Sequence, residues 1–288
     1  MQTMLTTINP QTFCRKIPPF SNAEEVLPKR FWIDRQAGTL YACPPAITLS
    51  FPMLAIRHGQ TDDNVRHAWQ GQIDGPSNQL NAVGKEQARI AAENLFAQLS
   101  ESFGAALPTL AMSGKFVVLS SPLGRAKETA QTFLDYLAGQ TGITLPLRIE
   151  PDLAEIFFGV VEGGSLETLT GELLECLLQF KYGRDATMNW LGTGESFTDV
   201  TLRAYRLLER LNAEFHAGET LVAAFSHGTL INGMRVAVGD SMLIDEQGKV
   251  TFRKHMVDNG EAYWFGQSQQ LAARLASRVE AQTLVSVN

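Results

Sequence analysis

Three short apolar runs, Met53–Ile56, Phe116–Leu119 and Thr220–Phe225, are unbroken by charge, and each is followed by a stretch of helical periodicity. A strand with one face in water alternates apolar and polar side chains. An unbroken run is buried on both faces, which calls for a mainly parallel sheet covered by helices. The intervening segments agree. Ala88, Ala91, Leu95 and Leu99 share one face of a helix predicted over 82–99, and Val200, Ala204, Leu207, Leu208, Leu211 and Phe215 share another. After the second run, SSPLGRAKETAQTFLDYLAG supplies a serine cap, Pro122 at the first helical position and Gly139 as a stop. The pattern predicts an α/β three-layer sandwich, its mainly parallel central sheet flanked by helices on both faces.

Residues 1–52 read differently and hold seven of the twelve prolines. Two β-like runs there, Arg30–Ile33 and Thr39–Ala42, flank DRQAG, so we expect an N-terminal extension with a β-hairpin packed on a main domain of residues 53–288. Residues 160–198 break the alternation and read as an insertion over the site. Ser100–Lys115 reads as loop, and MLIDEQGKVTF, within 239–258, as a second hairpin. A net charge of −6 leaves no footprint for nucleic acid or an anionic membrane. No run approaches the ~18 apolar residues of a membrane span. Cys14, Cys43 and Cys176 are far apart without C-x-x-C spacing, which argues against a disulfide framework and a cysteine zinc site. With no basic-then-apolar leader, a cytoplasmic location is expected. Neither G-x-x-x-x-G-K-[ST] nor G-x-G-x-x-G occurs, so no nucleotide cofactor is expected. Oligomeric state stays open.

Chemistry gathers behind the three runs. Arg57 and His58 follow the first, Arg125 the second and His227 the third. Ligands of open α/β sheets bind at the carboxyl ends of strands, where helix N-termini add oriented N–H groups. If the three strands are neighbours, two guanidiniums and two imidazoles meet in a site for a dianion, and phosphate matches the guanidinium fork. Binding alone needs no histidine, whereas neutral imidazole is a competent nucleophile. Either glutamate of DLAEIFFGVVEGG, Glu155 or Glu162, is in apolar company suited to holding a proton for a leaving alkoxide. Pairing of the arginines with Asp62, Asp63 or Glu128 at the surface, worth about 0–1 kcal/mol each, would need no strand end. His58, His67, Asp62 and Asp63 are a poor metal set beside an arginine, and no H-E-x-x-H spacing occurs, so no metal is expected. His67, His216 and His255 read as surface histidines, with His67 placed to reach the rim. Trp69, Phe157, Phe158 and Trp190 read first as packing.

In order, RHGQTDDN, GQIDGPSNQLNAVGKEQA, SSPLGRAKETA, LAEIFFGVVEGG, GESFTDV and FSHGTLING resemble the histidine phosphatase superfamily, from about Met53 to Val238. The resemblance implies a phosphoglycerate mutase-like fold and a metal-independent phosphomonoesterase working through phosphohistidine. It implies His58 as nucleophile and Arg57, Arg125 and His227 as the phosphate pocket. It further implies phosphate contacts from Asn64, Thr61 and the Gly228 N–H, and Glu155 as acid and base, which leaves Glu162 to a turn. Gly59 is expected to give the backbone room to turn beside the ligand. AEIFFGVVEG resembles the phosphatase branch, while the mutases carry an ERHYG-like segment and more arginines over the site than the Lys181 and Arg184 found here. A mutase, or a non-catalytic phospho-ligand binder, is the alternative. Gln60 and Val161 depart from a common glutamate and tryptophan of the family. No cofactor and only a small phosphorylated substrate are implied.

Overall fold

Each apolar run is a strand of one sheet. The computed structural model describes residues 22–43 and 45–286. The chain enters through three antiparallel strands, β1 (Glu24–Leu27), β2 (Phe31–Asp34) and β3 (Thr39–Ala42). A second sheet follows, made of β4 (Met53–Arg57), β5 (Phe116–Ser120), β6 (Leu147–Ile149), β7 (Leu221–Ser226) and β8 (Ala262–Trp264), in the order β6-β5-β7-β4-β8. Its neighbours pair in parallel except β4 with β8. The three runs therefore lie side by side, with β7 between β4 and β5. The helices are α1 (Asp62–Val65), α2 (Ala82–Phe103), α3 (Ala106–Met112), α4 (Gly124–Thr141), α5 (Gly171–Lys181), α6 (Phe197–Glu214), α7 (Gly228–Ala237) and α8 (Ser268–Ser286).

Alternate strand residues face opposite layers, which is why charge is excluded from both. Leu54, Ile56, Val118, Ala223 and Phe225 join a core built with α2, α3, α4 and α8. Met53, Ala55, Leu119, Val222 and Ala224 join the other, with α6, α7 and the inner face of β2 and β3. The α/β three-layer sandwich follows from that two-sided burial.

Local expectations fared unevenly. The hairpin is present, with Phe31 opposite Ala42 and Ile33 opposite Leu40, and β1 adds a third strand. Ser100–Lys115 is not a loop: α2 runs on to Phe103 and α3 buries Ala106, Leu107 and Leu110. α4 begins at Gly124 with Leu123 as an uncapped N-cap, and it passes Gly139 to end at Gly142, whose φ of 71° suits glycine. MLIDEQGKVTF does fold back on itself, through an Ile244–Val250 bridge. The edge of β3 receives it, with Ala42 N donating to Gly248 O (2.8 Å) and Val250 N to Leu40 O (2.9 Å). Cys176 is free, whereas Cys43 is disulfide-bonded, which departs from the expectation of no disulfide framework. Among the described residues no helix is long and apolar enough to cross a membrane.

A buried ion pair fixes the segment after α7. Arg235 Nε donates to Asp240 Oδ2 at 2.7 Å with both side chains about fully buried, and the Tyr263 hydroxyl donates to the same oxygen at 2.6 Å. Arg235 also donates to His255 O and to Asn232 Oδ1, while Asn232 Nδ2 donates to Phe252 O. Removing the carboxylate strands a buried guanidinium. Asp240→Ala should therefore cost about 3–5 kcal/mol, read as a lower urea midpoint at unchanged m-value.

Candidate active site

Because β5, β7 and β4 are adjacent, the side chains following them converge. His58 leaves the end of β4 and His227 the end of β7, their ring centroids 5.0 Å apart. Arg125, in the first turn of α4 after β5, donates from Nε to His58 Nε2 at 3.3 Å. Its other nitrogens donate to Ile73 O (3.1 Å) and Gly71 O (2.7 Å). Arg57 donates through Nη1 to Val257 O at 2.9 Å. His58 Nδ1 lies 2.7 Å from Gly59 O, which can only accept, so Nδ1 carries the proton and Nε2 keeps its lone pair. His227 Nε2 contacts Ser121 Oγ at 2.8 Å. Two nitrogens beside this arrangement, Arg57 Nε and His227 Nδ1, are buried without a partner.

Electrostatics keeps both imidazoles neutral. Burial, then the charges of Arg125 and Arg57, push the His58 pKa well below the usual histidine value, against a small opposing pull from Gly59 O. Burial, Arg125, His58 and Arg57 do the same to His227. Burial also lowers Arg57, and brings Arg125 down to about 10. Glu155 is half-buried and faces the same space. Its carboxylate accepts from Ile156 N (2.9 Å) and, at the start of α7, from Thr229 N (3.2 Å) and Leu230 N (3.3 Å). Arg203 of α6 seats the strip before it, donating to Asp152 O and Ala154 O at 2.8 Å each.

The cavity measures about 590 Å³, and Arg57, His58, Asn64, Arg125, Glu155 and Gly228 line it. His227 sits beneath that lining, fully buried. Thr61 does not line the cavity. It caps α1, and its buried hydroxyl donates to Gln70 Oε1 at 2.9 Å, so its part is to hold Asn64, whose Oδ1 accepts from Thr61 N at 3.1 Å. Asp63 is buried and ties α1 to Ser77 and Asn78. Glu162 keeps to a turn, accepting from Gln72 N (2.8 Å) and Phe158 N (3.1 Å). Gly59 answers to a close approach rather than to ligand access: a Cβ there would lie 2.2 Å from Gly84 O of α2.

A model of the histidine phosphatase superfamily (branch 1) matches residues 53–244. The chain belongs to the histidine phosphatase superfamily. The chain is 41% identical over 109 residues to mannitol-1-phosphatase of Eimeria tenella, covering 36% of this chain and 29% of that protein. It is 29% identical over 154 residues to a protein of Yersinia pestis named probable phosphoglycerate mutase GpmB, covering 54% and 60%. The chain thus spans less than two thirds of the length of these curated relatives. Among solved structures it resembles mycobacterial glucosyl-3-phosphoglycerate phosphatase, solved with VO3, at 27% identity and TM-score 0.53, over 74% of this chain and 92% of that one. A structure titled mycobacterial hydrolase 1 gives 26% and 0.55, over 74% and 88%.

Two features of the chain depart from the family pattern or lie outside it. Val161, in place of the tryptophan, is fully buried and does not line the cavity, whereas Gln60 does. A third guanidinium, Arg253, lines the cavity from beyond the matched region, with Lys181 also on the wall. Sequence reasoning missed Arg253; its only signal was the basic triplet Arg253–Lys254–His255 in a segment of unknown placement. The neutral histidines have a thermodynamic consequence. Unfolded, each takes up a proton near pH 6.5; folded, only well below it. Acidification through that window favours the unfolded chain, so stability should fall as pH drops from 7 to 5. Urea midpoints across that range should show the slope, and His58→Gln should reduce it.

Proposed function

We propose that this chain is a metal-independent phosphomonoesterase that hydrolyses a small phosphorylated substrate through a phosphohistidine. The observation that carries it is the pair of orphaned buried nitrogens, Arg57 Nε and His227 Nδ1, beside an imidazole whose Nε2 lone pair is unprotonated. A phosphoryl dianion supplies oxygens for both, and its charge offsets guanidiniums whose hydrogen bonds otherwise go to carbonyl oxygens and the His58 ring. On binding, Arg125 redirects the hydrogen bond of its Nε–H from His58 Nε2 to a phosphoryl oxygen, which frees the nucleophile.

His58 Nε2 forms a bond to phosphorus as the ester P–O bond breaks, and Glu155 gives its proton to the leaving oxygen. Gly59 O, bound to Nδ1–H, steadies the positive charge that develops on the ring. Water then attacks phosphorus, the N–P bond breaks, and the water proton returns to Glu155. Arg57, Arg125 and His227 hold the equatorial oxygens throughout, which is where phosphoryl transfer is stabilised. Asn64 and the Gly228 N–H complete the pocket, and Thr61 acts through Asn64. The phosphatase names among the relatives support this reading. In the same proposal residues 53–288 are the catalytic unit, 160–198 the lid, and 1–52 an N-terminal extension whose described residues, 22–43 and 45–52, pack on that unit, residues 1–21 lying outside the described ones. The location in that proposal is cytoplasmic.

Labelled p-nitrophenyl phosphate should leave acid-labile, base-stable phosphate on the wild type and none on His58→Ala, with turnover unchanged by EDTA. Equal turnover by the two proteins would rule the mechanism out. Label passing to an added phosphoglycerate faster than to water would mean a mutase. Glu155→Gln should lower kcat by about 10²–10⁴, and least for p-nitrophenyl phosphate, whose leaving group needs little protonation.

A further inference from the structure

Arg253 is a cation with no ion-pair partner among the described residues. It enters the cavity from the segment after α7, held there by the Arg235–Asp240 network and by the turn docked on β3. Its guanidinium lies 5.4 Å from the ring of Trp69 and 5.2 Å from that of Phe180, and Nη1 is 4.0 Å from Met256 Sδ. Nε is buried with no partner. Among the described residues no carboxylate forms an ion pair with it, nor with Lys181 on the same cavity wall. Aromatic faces recover only part of what removing a guanidinium from water costs. Burial brings Arg253 down to about 10, against the pull of Glu155, and Arg57 adds repulsion.

The phosphoryl site does not account for it. Arg57 and Arg125 already match the two charges of a phosphoryl dianion, and Arg253, whose Nε is buried with no partner among the described residues, is a further cation lining the same cavity beside Lys181. The cavity of about 590 Å³ is far larger than one phosphoryl group. Arg253 also lies outside the residues that match the family, 53–244. We infer that Arg253, assisted by Lys181, is a second anion subsite, and that the substrate is a phosphomonoester carrying a second anionic group, a carboxylate or another phosphate. The inference rests on the phosphatase reading above.

Matched esters separate the cases. 3-Phosphoglycerate pairs with glycerol 3-phosphate, and 6-phosphogluconate with sorbitol 6-phosphate, each pair differing in one carboxylate; sorbitol 1,6-bisphosphate tests a second phosphate. Wild type should favour at least one ester that carries a second anionic group over the mate that lacks it, in kcat/KM. Arg253→Gln should cut that ratio on the order of 10–100-fold, the worth of a hydrogen bond to a charged group, and Arg253→Lys should restore part of it. Lys181→Met, at an exposed position that tolerates change, should cut the same ratio several-fold and decides the matter if the Arg253 variants fail to fold. No wild-type preference, or an equal fall on both members of every pair, would overturn the inference. Hydrolysis of p-nitrophenyl phosphate by wild type reports the phosphatase reading separately, and its absence would overturn both.

Discussion

Positive charge with no ion-paired carboxylate among the described residues, held at the carboxyl edge of three adjacent parallel strands, is the constraint on which the rest of this structure depends. Arg57, Arg125 and Arg253 crowd one cavity, and the half-buried Glu155 spends its oxygens on backbone N–H groups. What makes this tolerable is a set of carbonyl oxygens aimed inward. Ile73 and Gly71 receive Arg125, and Val257 receives Arg57. The same field explains the imidazoles. With guanidiniums alongside and little water, a protonated His58 or His227 would add to the repulsion, so both stay neutral.

Those carbonyls need fixed backbones, and much of the polar network outside the cavity supplies them. Glu162 joins the 71–73 loop to the 158–162 turn through Gln72 N and Phe158 N. A side chain at Gly71 would meet that carboxylate, which leaves the position to glycine. The Gly59–Gly84 approach seats the loop after β4 on the first turn of α2. Asn259 donates to His58 O at 2.8 Å, and Gly260 N to Arg57 O at 3.0 Å, so the chain entering β8 grips the Arg57–His58 step. Arg203 does the same for the strip leading to Glu155.

Legibility in the sequence followed the range of the forces involved. The strands and the helices at 82–99 and 200–215 were readable because two-sided burial writes itself as local apolar pattern. Arg57, His58, Arg125 and His227 were readable because each lies at the end of such a strand or within five residues after it. Ser100–Lys115 misled because α3 is short and its apolar face answers to α8 and β5, not to its own periodicity. Thr61 looked like a phosphate contact because it shares a loop with Asn64, and only the cap geometry separates a residue that touches the cavity from one that orients its neighbour. Arg253 was out of reach. Its place depends on a buried ion pair five residues across, Arg235–Asp240, and on a turn paired with β3, some two hundred residues earlier in the chain.

That last dependence joins the two parts of the chain that lie outside the family match. The β2–β3 hairpin has a free edge, and the 245–250 turn covers it, which removes an unpaired strand edge. In exchange the turn gains a rigid base, and from it the chain runs back over the cavity carrying Phe252, Arg253 and Met256. Phe252 stacks on Phe197 at 4.6 Å and leans on Phe180 at 5.3 Å, tying the segment to α6 and α5 at once. The hairpin, the turn and α5 thus form one support for a single guanidinium. Phosphoryl chemistry can stay unchanged on β4, β5 and β7 while the residue facing the rest of the substrate is set by segments that pack against one another.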